Sequence, residues 1–71
     1  MNHWYIGDGV IVRYGQGDDA GEMVRVTPVM ASERRKYQLA LCTRDATQRV
    51  QKLAIYSTLT DALHEGEEWL P

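Results

Sequence analysis

The chain has 71 residues, 44% of them hydrophobic, with eight basic and ten acidic side chains. That length excludes a second domain and buries only about 60% of the unfolded surface, while the hydrophobic fraction excludes a disordered chain. A lone cysteine, Cys42, excludes an internal disulfide, and a net charge of −2 opposes a purely electrostatic nucleic-acid binder.

Trp4 to Tyr14 has strand chemistry, Val10, Val12 and Tyr14 alternating with Ile11 and Arg13. Gly7-Asp8-Gly9 interrupts it and reads either as a tight hairpin turn or as a bulge in one long strand. The glycine-punctuated acidic stretch 15–21 is a loop. A second strand is predicted from Glu22 to Met30, with Val24 and Val26 facing one way and Met23, Arg25 and Thr27 the other. Pro28 lacks a donor and predicts an edge or a bulge at that strand's end. Residues 31–35 connect to a third strand, Lys36 to Thr43, and residues 44–48 turn into a fourth, Arg49 to Tyr56. In that last strand Leu53 and Ile55 alternate with Ala54 and Tyr56, the period of a strand burying one face. The pattern then switches to helical spacing at Leu59, Ala62, Leu63, Trp69 and Leu70. Thr58, three residues before Asp61, is a helix-start signature: the hydroxyl accepts an orphan N–H, and the carboxylate suits the positive end of the dipole.

Short connections favour antiparallel neighbours. The expected architecture is a single α+β domain over residues 1–71. It is a four-stranded antiparallel meander, strongly curved or not, with one C-terminal amphipathic helix packed on one face. A small SH3-like barrel with a terminal helix is the alternative.

Residues 1–8 lack the basic region and apolar run of a signal peptide, and no apolar stretch approaches the ~20 residues of a membrane span. Together with one unpaired cysteine, this points to a cytoplasmic protein with no membrane partner.

Chemistry finds little support. Cys42 with His3 or His64 invites a Cys–His pair, but its mid-strand position among apolar residues suits a small buried hydrophobe better. One cysteine and two distant histidines match no metal pattern. The loop glycines precede no helix, so they make no phosphate cradle, and Asp18 and Asp19 make no acid–base pair. A non-enzymatic protein without cofactors is expected.

All eight basic residues lie between Arg13 and Lys52, a span with net charge +3, whereas the remainder carries −5. Arg34, Arg35 and Lys36, with Tyr37 beside them, are expected to join Arg25, Arg44 and Arg49 on one edge. Arginine and tyrosine anchor protein interfaces, so the favoured partner is a larger protein with an acidic surface. A nucleic-acid-binding sheet is the runner-up, opposed by a pI of 5.5. A self-associating structural subunit is the third reading, and the sequence leaves the oligomeric state open.

The few strands followed by Ser57-Thr-Leu-Thr-Asp-Ala-Leu-His-Glu-Gly-Glu-Glu-Trp69, a threonine-capped acidic helix, resemble the plan of small phage-encoded host-takeover proteins. Inhibitors of bacterial RNA polymerase and anti-CRISPR proteins are among them. The resemblance implies a mode: a non-catalytic regulator or inhibitor that occupies a charged surface of a large host machine.

Overall fold

In the computed structural model, which describes residues 3–71, the N-terminal apolar stretch folds back on itself at Asp8-Gly9. Both residues take left-handed φ, 52° and 77°, the conformation of a two-residue hairpin turn whose twist matches its flanking strands. The stretch is therefore two strands, β1 (Trp4–Gly7) and β2 (Val10–Tyr14), not one bulged strand. A short 3₁₀ turn, Gly17–Asp19, leads to β3 (Glu22–Ala31), followed by β4 (Arg34–Thr43), β5 (Val50–Tyr56) and the helix α1 (Leu59–Trp69). The sheet has five strands in the order β1-β2-β3-β4-β5, one more than the sequence suggests. It stays open, with β1 and β5 as its edges, so the barrel alternative does not form.

Strand alternation gives the sheet two faces. One carries Val24, Val26 and Leu39 under α1, where they pack with Ala62 and Leu70 as the fully buried core. Burying each such Val or Leu contributes about 1.5–3 kcal/mol. The helix begins as expected, Thr58 Oγ1 accepting from the Asp61 N–H at 3.1 Å. Gly66 allows close contact: a Cβ there would lie 2.7 Å from the Trp4 ring.

The far end of α1 is clasped to β2 and β1. Arg13, buried, donates from Nε to the Leu70 carbonyl at 2.9 Å and lies 5.7 Å from the Trp4 ring centroid. Glu67 sits 4.0 Å from Arg13 and accepts from Trp4 Nε1 at 3.2 Å.

Pro28 lies in a central strand, but at an end of it past the β2 pairing, so this strand end is a local edge as the sequence suggests. It is tolerated there because β2 reaches only to Val26, leaving β4 as the sole neighbour beyond. On the other side β5 ends opposite Tyr37. The last three pairs of the β3–β4 hairpin, Val29–Lys36, Met30–Arg35 and Ala31–Arg34, thus project as a two-stranded arm about 10 Å long. Its tip, Ser32-Glu33, takes left-handed φ of 54° and 63° without a glycine.

Candidate docking surface

The arm explains why three adjacent basic residues do not act as one cluster. They belong to β4 rather than to a loop, so they alternate: Arg34 and Lys36 project from the face opposite the helix, while Arg35 and Tyr37 project from the helix side. Arg44 and Arg49 flank the other end of the sheet, about 30 Å along β4 from Arg35. The expected single basic edge is therefore not assembled. Arg25 stands mid-sheet opposite Ala40, its Nη1 donating to Gln48 Oε1 at 2.8 Å. Arg44 lies over the Tyr14 ring, 4.3 Å from its centroid.

Of these residues, Arg25, Arg34 and Lys36 share the sheet face that α1 leaves open. A cross-sheet row runs Tyr5–Val12–Arg25–Ala40–Leu53, one residue from each strand. Next to it Gln38 pairs with Ile55, and on the other side Tyr14, Met23, Cys42 and Val50 form a third row. A register slip between Leu41 and Cys42 turns Val50 to this open face while Lys52 stays on the helix side, 4.4 Å from the Trp69 ring centroid.

The open face is apolar and cationic. Tyr5, Leu53 and Ile55 are 56%, 55% and 51% exposed. Its charged strand positions are Arg25, Arg34 and Lys36, and no strand position on it holds a carboxylate. The acids Asp61, Glu65, Glu67 and Glu68 lie across the sheet on α1. Leu53 and Ile55 lie side by side on β5 and Tyr5 on the opposite edge strand, with Arg25 between them, and exposed apolar side chains beside charge are what an interaction site presents.

Sequence reasoning missed this patch because it does not say which face of β5 the helix covers. The covered face is that of Ala54 and Tyr56. A signal was present: β5 carries apolar residues on both faces, and one helix can cover only one of them.

The loop beside the open face is held by Asp45. Its Oδ1 accepts from the Thr43 hydroxyl at 2.9 Å and from the backbone N–H groups of Thr47 and Gln48 at 3.0 and 3.3 Å. Hydrogen bonds from the Thr47 and Thr43 hydroxyls hold the Asp45 carboxyl below its usual range. Burial pushes the Cys42 thiol up, partly opposed by the Arg25 charge, which suits a packing role rather than nucleophilic chemistry. Burial, and then the Glu65 carboxylate, raise the Tyr56 phenol.

Among the described residues no cluster of His, Cys, Asp and Glu could hold a metal ion, and no helix is long and apolar enough to cross a membrane. Neither a protein-family model, nor a curated protein, nor a solved structure matches this chain.

Proposed function

We propose that this protein is a non-catalytic regulator or inhibitor that docks on a larger protein through its open sheet face and basic arm. One observation carries the reading: aliphatic side chains more than half exposed share that face with Arg25, Arg34 and Lys36 and with no strand carboxylate. The fitting partner presents apolar side chains flanked by acids. The apolar area supplies affinity, and charge complementarity speeds encounter and sets orientation. Occupying the surface of a host machine, the mode of the phage proteins that the C-terminal stretch resembles, is one form such docking takes.

The test is retention of partner proteins from host lysate on the immobilised chain, read by mass spectrometry. Arg34, Arg35 and Lys36 reversed to glutamate, and separately Leu53→Ser, should each release what the unaltered chain retains, and rising salt should weaken retention. Retention indifferent to both changes would sink the reading.

A second reading rests on Tyr5 and Arg25 sharing a cross-sheet row. Rings and cations interleaved on an open sheet suit single-stranded nucleic acid. It predicts affinity for a mixed oligonucleotide that falls steeply with salt; no binding at low salt removes it.

A further inference from the structure

On the helix side, at the base of the arm, α1 leaves part of the sheet bare. Ile6, Ile11, Val26, Pro28, Tyr37 and Leu59 line an open groove of about 220 Å³, with Arg35 at its mouth. Of the lining residues Ile6 is the most open to solvent among the large apolar ones, 82% exposed. Arg35 is the one charged lining residue, and among the described residues it makes no ion pair.

Size and charge narrow the occupant. Pockets for drug-sized ligands and cofactors run to about 300–1,000 Å³, so this groove suits one bulky side chain rather than a nucleotide or an acyl chain. An unpaired guanidinium beside an apolar slot matches a carboxylate, which arginine grips in a planar, bidentate fashion.

We infer that the groove receives one leucine-, isoleucine- or phenylalanine-sized side chain of an acidic peptide segment, whose neighbouring carboxylate pairs with Arg35. This rests on the protein-docking reading and names its partner more closely. The arm is then gripped from both sides, Arg34 and Lys36 on the open face and Arg35 on the groove.

The experiment is an amide-shift titration of the full chain with the blocked peptide acetyl-Asp-Glu-Leu-Asp-Glu-amide. Its controls are the same peptide with serine for leucine, one with lysine for the acids, and a mixed single-stranded oligonucleotide. The acidic leucine peptide should shift Ile6, Ile11 and Leu59 and saturate. Arg35→Gln in the protein, or serine in the peptide, should weaken binding about tenfold, the scale of one charge-assisted contact or one buried aliphatic group. Lys52→Gln, which removes a cation away from the groove and the open face, should leave it unchanged.

Binding indifferent to Arg35→Gln, shifts confined to the open face, or stronger shifts of the groove by the oligonucleotide would each overturn the inference. The docking reading fails separately, when partner retention ignores Leu53→Ser and the charge reversal.

Discussion

Arg13 on β2 reaches up to Leu70 at the end of α1, its Nε donating to the carbonyl at 2.9 Å in a buried setting. The bond places a cation at the helix C-terminus, where unsatisfied carbonyls carry partial negative charge. Removing the donor leaves a buried acceptor unpaired and takes away the guanidinium beside Trp4. Arg13→Met should destabilise the fold by about 1–3 kcal/mol, measured by urea unfolding. An unchanged midpoint would mean that the clasp contributes nothing.

Gly66 sets a contrary expectation to helix propensity. Alanine in place of glycine normally stabilises a helix interior by about 1 kcal/mol. Here the added methyl would meet the Trp4 ring at 2.7 Å and Leu39 Cδ1 at 3.2 Å. Overpacking of that kind costs about 1–3 kcal/mol, so Gly66→Ala should lower the thermal midpoint. A rise would show that the Trp4 ring moves aside freely.

The arm's tip holds Glu33 at φ 63°, a conformation that costs a residue with a side chain about 1–2 kcal/mol. Glu33→Gly should raise stability by about 1 kcal/mol. It also removes a carboxylate next to Arg34, so affinity for an acidic partner should increase in the same variant. Calorimetry and a peptide titration read the two effects independently.

Asp45 gives the loop at 44–49 a pH dependence of definite sign. Its carboxyl is held below the ordinary value of 3.8 by hydrogen bonds present only in the folded chain. Such a group adds stability above its unfolded value and loses that contribution as pH falls through the folded one. Acid titration followed by circular dichroism should show stability declining below about pH 4, and Asp45→Asn should flatten the Asp45 share of that decline.

Local chemistry made parts of this fold legible. Thr58 and Asp61 announce the helix start because a cap needs residues only three apart. The strand faces of β3 and β4 follow from two-residue alternation alone. Asp8-Gly9 stayed ambiguous because hairpins and bulges both want left-handed backbone; what decides is the pairing of Gly7 with Val10, a contact between strands. The groove was invisible for a similar reason. Its lining comes from β1, β2, β3, β4 and α1, so no window of sequence contains it. β5 shows the limit most clearly: periodicity separates Leu53 and Ile55 from Ala54 and Tyr56 without saying which pair the helix layer covers, and it covers Ala54 and Tyr56 while the two aliphatic side chains face outward.

The strand order repeats the order of the chain, so each hairpin of the sheet closes over a short connection. Hairpins form in about 1–10 μs, and a topology dominated by neighbours in sequence folds fast for a sheet. The contacts that bring Trp4 to Glu67 and Arg13 to Leu70 span 63 and 57 residues. They wait until the helix has docked. The clasp therefore sets how slowly this protein opens rather than how quickly it forms, a latch on its lifetime more than a seed of its folding.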